Sequence, residues 1–204
     1  STPGSTVGKI YFFLAFITAG FSSIFSGVNF LATALTMRAR GMSWTRIPAF
    51  TWSVISAAII QIMGTSVVAA SLIMVIFDRI LHTSFFNPEL GGNALLYQHL
   101  FWYYSHPAVY IMILPAFGAI LEIIPVYARK PLFAYKLVIA SFLAITALSF
   151  VVWAHHMFTS GMWMLLKLPF MINTELISIP TGVVFLAVMG TLWRARMRLD
   201  SPML

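Results

Sequence analysis

Three histidines and a tyrosine stand inside runs that are otherwise apolar. His106 and Tyr110 lie in Tyr104-Ser-His-Pro-Ala-Val-Tyr110, and His155 and His156 are adjacent in Val151-Val-Trp-Ala-His-His-Met157. A metal-binding or ionisable side chain is costly in the interior of a bilayer, so its presence there points to function. Histidine is the commonest metal ligand, and imidazole suits copper, zinc and iron. The chain has no cysteine, which excludes disulfides and thiolate sites and leaves His, Met, carboxylate or tyrosine to hold an ion. A lone membrane histidine is ordinarily a packing hydrogen-bonder. The chemistry therefore depends on whether the three imidazoles can meet.

The elements that must position them are membrane helices. Of 204 residues, 60% are hydrophobic and 8% charged, far from an ordinary soluble domain. Several apolar runs exceed the roughly 20 residues needed to cross a bilayer. Five spans are expected, at about 10–36, 50–77, 97–126, 134–159 and 169–193, with no signal-peptide pattern before the first. The fold class is thus all-α, a polytopic membrane helix bundle, with residues 1–204 forming a single membrane domain. The segment 78–96, with Asn87-Pro88 and Gly91-Gly92, reads as an ordered external loop. Ser1–Thr6 and Asp200–Leu204 read as connections, so a piece of a larger protein is expected.

The net charge of +7 would suggest nucleic acid in a soluble protein, but its distribution points to membrane topology. Arg38, Arg40 and Arg46 lie between the first and second spans; Arg129, Lys130 and Lys136 lie between the third and fourth; Arg194, Arg196 and Arg198 follow the fifth. Alternating topology gathers all of these on one membrane face and leaves Lys9, Arg79 and Lys167 opposite. The positive-inside rule makes the basic face cytoplasmic or its mitochondrial equivalent, with the N-terminus outside. No basic patch remains for RNA or DNA.

Topology also lets the histidines converge. His106 lies about 10 residues inward of the outer end of the third span, roughly 15 Å deep at 1.5 Å per residue. His155 and His156 lie near the outer end of the antiparallel fourth span, roughly 5–10 Å deep. Adjacent helical residues diverge by about 100°, so the pair can straddle an ion that His106 approaches from the facing helix. Three imidazoles with an open position is the arrangement of a catalytic centre. Tyr110, one turn inward of His106, is placed to contact the same ion. Pro107 frees the Tyr103 carbonyl and is expected to kink the helix there. His82 and His99 read as interfacial.

These residues carry a family resemblance. Gln98-His-Leu-Phe-Trp-Tyr-Tyr-Ser-His-Pro-Ala-Val-Tyr110, followed by Ile-Met-Ile-Leu-Pro115, resembles the sixth helix of the catalytic subunit I of heme–copper oxygen reductases. Val151–Thr159 resembles the seventh; Phe21-Ser-Ser23 with Gly27-Val-Asn29-Phe30, and Ile179-Pro-Thr-Gly182, resemble the fourth and eighth. The resemblance covers nearly the whole chain and implies helices four to eight of a twelve-helix subunit. It makes His106, His155 and His156 the ligands of copper B, and Tyr110 the tyrosine covalently joined to His106 that supplies an electron and a proton when the O–O bond breaks. Trp102 and Val109 match residues lining the pocket where oxygen binds between copper and a high-spin heme. The heme ligands belong to the second and tenth helices, which this stretch does not include. The implied partners are the remaining helices of subunit I, a subunit II with copper A or a quinol site, a subunit III-like chain, the lipid bilayer and O2.

The chain also departs from the family pattern. Ala108 stands where most members carry the glutamate that receives protons, and Tyr104 and Ser105 replace the usual Phe-Gly. A Tyr-Ser-His-Pro variant marks one branch of the family, and Tyr104 and Ser105 are expected to form a substitute proton relay; the alternative is a tyrosine that merely packs. Ser22, Ser23 and Asn29 match polar positions along that channel. In the second channel Thr181 is kept, but Val184 replaces a lysine and Leu121 a serine, which puts that route in doubt. Glu175, where a threonine is expected, is a candidate for proton exchange near the histidine level. Glu122 reads as interfacial.

The leading reading is the copper-binding core of a terminal respiratory oxidase that reduces O2 to water and is coupled to proton translocation. A nitric oxide reductase-like subunit is the nearest alternative, and Tyr110 argues against it because those enzymes lack that tyrosine. A transporter or assembly subunit using a histidine proton relay is the other. The expected location is the plasma membrane of a prokaryote, ahead of the mitochondrial inner membrane.

Overall fold

Five α-helices, α1 (Pro3–Thr36), α2 (Ala49–Ile80), α3 (Ala94–Ala128), α4 (Tyr135–Ser149) and α5 (Met164–Leu192), make up the chain in a computed structural model. It describes residues 3–197 and residue 200, so Arg198 of the expected basic face and 201–204 of the expected tail lie outside the described residues. No strand occurs among the described residues. α1, α2, α3 and α5 are each long and apolar enough to cross a membrane. At 1.5 Å per residue, α2 measures about 48 Å against a hydrocarbon thickness of about 30 Å. The helices therefore extend past the apolar runs that announce them. α1 begins at Pro3, inside the stretch expected to be a connection.

Antiparallel packing follows from the short connections and is held by close contacts between small residues, the usual glue of membrane bundles. Gly27 of α1 lies against Ala58 and Ile62 of α2. Gly64 of α2 lies against the Tyr104 ring, and Gly118 of α3 against Ser53 and the Phe50 backbone. α2 packs against α1, α3 and α4, and α5 closes on α3 and α4. Their shared core holds Ile60, Leu114, Leu121, Phe142, Ile145 and Val184. α3 is helical throughout, continuing past Pro107, Pro115 and Pro125.

Side chains tie down the helix ends. Asn93 caps α3 by accepting from the Leu95 and Leu96 amides. Glu122, expected only as an interfacial group, accepts from the Phe50 amide at 3.3 Å, placing a carboxylate at the positive end of α2. The Tyr135 hydroxyl donates to the Ile47 carbonyl. On the basic face Lys130 donates to the Trp193 carbonyl at 2.7 Å, closing the C-terminal end of α5. On the other face the Asp78 carboxylate accepts from Thr83 Oγ1 and from the amides of Phe85 and Phe86, which orders the expected external loop.

The fourth expected span is not one helix. α4 ends at Ser149, about 22 Å from its start and short of a full crossing, and the chain then forms a 3-10 turn at Trp153–Met157. His155 and His156 ride on that turn rather than on a membrane helix. Irregular backbone at this depth must have its polar groups satisfied within the protein, because lipid offers no partners. Phe150 and Val151 bond back to Ala147 and Leu148, and the Asn173 side-chain amide of α5 donates to the Val151 carbonyl at 3.3 Å. Val152, Ala154 and Met157 are fully buried and anchor the turn.

Candidate metal centre

The turn changes how the histidine pair is presented. With three residues per turn, neighbours diverge by about 120° instead of 100°. The His155 and His156 rings sit 4.4 Å apart between centroids, at 44° to each other. α3 brings His106 opposite them, its ring 4.5 Å from His155 and 5.2 Å from His156. One nitrogen from each imidazole lies within 4.8 Å of the others. The three histidines singled out in the sequence thus converge, across two elements, on one point.

The hydrogen bonds decide which nitrogens are available. Thr174 of α5 donates its hydroxyl to the Phe170 carbonyl at 2.6 Å, so towards His155 it acts as an acceptor. At 3.0 Å it receives the His155 Nδ1–H, which leaves the Nε2 lone pair of His155 free. A partner of this kind fixes the tautomer of a ligating histidine. His106 Nδ1 and His156 Nε2 face each other at 3.0 Å. Two imidazole nitrogens at that distance share a proton or a cation. Ligands bound at about 2 Å to one ion lie about 3 Å apart, so the separation also suits a metal. His106 is 5% exposed, and its Nε2 is buried without a hydrogen-bond partner. The close approach of His106 Nδ1 and His156 Nε2 and the all-imidazole donor set fit copper.

Aromatic rings surround the cluster. Trp102 stacks flat on His156, with centroids 4.0 Å apart and planes within 3°. Tyr110 meets His106 edge to face at 5.1 Å. His99, expected to be merely interfacial, accepts from Trp153 Nε1 at 3.3 Å and thereby holds the residue that opens the histidine turn. Trp153 also packs edge-on against Tyr103 and Phe170. Val109, on α3, is 48% exposed.

The candidates for a proton path are treated unequally by the fold. Ser22 and Ser23 line a cavity of about 640 Å³ between α1, α2 and α3, whereas Asn29 is exposed and outside its lining. Tyr104 packs its ring against Gly64, with Ser105 half-buried beside it. Thr181 donates to the Ile177 carbonyl. Leu121 and Val184, at 1% and 2% exposure, belong to one packed apolar core. Glu175 is exposed; the residue that meets the histidines is its neighbour Thr174. A hydroxyl at i+19 from His155 carries no local signal, and only the docking of α5 reveals it. Gln61, which the sequence reading passed over, also lines the cavity; an amide in the middle of an apolar run is the signal that would have marked it.

Comparison with known proteins agrees with this geometry. Residues 2–204 match the family model described as Cytochrome C and Quinol oxidase polypeptide I. The chain is 48% identical over 197 residues to a cytochrome c oxidase subunit 1 of Synechocystis, covering 97% of this chain and 36% of that protein. It is 45% identical over 204 residues to a cytochrome c oxidase subunit 1 of Thermostichus vulcanus, covering 100% of this chain and 37% of that one. A quinol oxidase subunit 1 of Bacillus subtilis is 42% identical over 197 residues, covering 97% and 30%. The chain thus spans about a third of the length of these relatives. With the match running over nearly every residue and the three imidazoles converging as they do, the chain belongs to the cytochrome c and quinol oxidase polypeptide I family.

Proposed function

We propose that this chain is the copper-binding core of a terminal respiratory oxidase that reduces O2 to water and is coupled to proton translocation. The observation that carries the reading is the convergence of one nitrogen from each of His106, His155 and His156 within 4.8 Å. His106 Nδ1 and His156 Nε2, which face each other at 3.0 Å, and His155 Nε2, freed by the bond to Thr174, are the ligand atoms. When bound, copper facing a high-spin heme supplies the redox chemistry of oxygen reduction, the heme being ligated from helices outside this stretch.

The chain's own residues hold and shield that site. Thr174 fixes the His155 tautomer, and Trp102 covers the face of His156. Tyr110 offers its phenol as a source of a proton and an electron within reach of His106. The covalent His106–Tyr110 link implied by the family has one atom open to it, the unpartnered Nε2. Val109 lines the oxygen pocket once further helices cover it. Protons arrive by way of Ser22, Ser23 and the cavity between α1, α2 and α3 towards Tyr104 and Ser105, with Asn29 as a further polar group on α1. Thr181 is left as a remnant of the second channel. Glu175 exchanges protons at the outlet, so Glu175→Gln is expected to lower proton release; unchanged release removes it from the path.

The exposed apolar faces of α1, α3 and α5 suit the remaining helices of subunit I, a subunit II with copper A or a quinol site, a subunit III-like chain, and lipid. The proposed location is the cell membrane of a prokaryote. The decisive test is metal analysis of the assembled complex. One copper per complex, lost in His106→Ala together with oxygen reduction, is expected; copper retained in His106→Ala refutes the assignment.

A further inference from the structure

The cavity between α1 and α2 stops short of the metal centre. On α2 its lining runs from Phe50 to Gln61, about 16 Å along the axis, and on α3 its outermost residue is Ile111, directly after Tyr110. Val54, Ala58, Gln61 and Thr65 follow one another at spacings of four, three and four residues, so they form one stripe along α2. The first three of these line the cavity, and Thr65 continues the stripe one turn further out.

Among the described residues Thr65 shares with Ser56 a buried hydroxyl without a partner, and of the two it is Thr65 that lies at the outer end of this stripe. Thr146, Thr174, Thr181 and Thr191 each donate to the carbonyl four residues back, as does Ser66 beside it. Thr65 makes no such bond: it is 2% exposed, its methyl packs towards Gly20, and its Oγ1 is buried without any partner. Leaving such a group unpaired is costly, so the site calls for a polar occupant. Gly64, the preceding residue, lies against the Tyr104 ring, where an added Cβ would come within 3.3 Å. The stripe, polar at Gln61 and Thr65, therefore runs outward from the cavity to the turn of α2 whose adjoining face, at Gly64, touches Tyr104.

We propose that Gln61 and Thr65 extend the cavity outward as positioning residues, holding water that links it to Tyr104 and so to the metal centre. The inference rests on the oxidase reading above. Gln61 accepts from and donates to these waters and moves no proton of its own. The Thr65 oxygen accepts a proton from the inner side while releasing its own to the outer side, so nothing accumulates on it.

The test compares assembled oxidase complexes carrying Thr65→Val, Thr65→Ser and Gln61→Leu. Oxygen reduction and proton uptake from the cytoplasmic side are expected to fall about tenfold in Thr65→Val and Gln61→Leu, with copper and heme content and electron delivery to the heme unchanged. Thr65→Ser, which keeps the hydroxyl, is expected to stay within about twofold of the parent, a rescue that a purely structural role would not show. Gln61→Leu, at the cavity wall, gives the same reading if Thr65→Val does not assemble. Parental proton uptake in both Thr65→Val and Gln61→Leu overturns the inference. Failure of the oxidase reading shows separately, as copper retained in His106→Ala.

Discussion

Replacing Thr174 by valine removes one oxygen at nearly constant volume and tests how the centre is held. Its hydroxyl spends its proton on Phe170 at 2.6 Å and receives His155 Nδ1–H at 3.0 Å. In the valine variant the Nδ1–H loses its acceptor, the imidazole is free to change tautomer, and its Nε2 is no longer dedicated to the metal. Loss of such a supporting partner typically weakens metal binding by about 10–100-fold, or about 1.4–2.7 kcal/mol. His155 is half-buried, so water replaces the lost partner only in part, and a weakening of about 30-fold is expected. Competition between a copper chelator and the detergent-solubilised complex measures the Kd directly. Thr174→Ser keeps the oxygen and is expected to stay within about threefold. A Kd unchanged in Thr174→Val, or changed more in Glu175→Gln, refutes the reasoning.

Other changes probe the scaffold. Gly118→Ala would bring a methyl against Ser53 and within 2.8 Å of the Phe50 Cα, so α2 and α3 must separate; a loss of about 1–3 kcal/mol is expected, seen as a lower midpoint of thermal unfolding in detergent. Asp78→Ala removes the acceptor shared by Thr83 and the Phe85 and Phe86 amides, and hydrogen exchange at those two amides is expected to accelerate about tenfold or more. Trp102→Ala strips the parallel ring from His156; copper is expected to remain bound with about tenfold faster release, measured by chelator-driven loss, while His99 and Trp153 keep their contact.

Much of this site was readable from residue types alone. His106, Tyr110, His155 and His156 stood out because polar chelators in apolar runs are rare, and alternating topology placed them at one level. The helix ends were less legible: hydropathy marks apolar residues, and α2 and α3 continue past theirs into capped, polar ends such as Asn93. The break after Ser149 left no mark, since Phe150-Val-Val-Trp153 is as apolar as the helix before it and holds neither proline nor glycine. What ends α4 is tertiary: Asn173 captures a carbonyl that a helix would have used. Glu175 drew notice because it is charged, and the quieter Thr174 made the contact. The apolar character of Val184 and Leu121 was legible, but that both sink into one packed core was not.

The turn at Trp153–Met157 also has a consequence for biogenesis. It carries two of the three imidazoles, yet it is stitched to α5 through Asn173, Thr174 and the Trp153–Phe170 ring contact. Until α5 has entered the bilayer and docked, that segment lacks the partners that satisfy its backbone and set the His155 tautomer. A nascent chain halted before α5 therefore holds all three histidines and no competent binding site. On the proposed copper assignment, metal loading would wait on the insertion of the next helix.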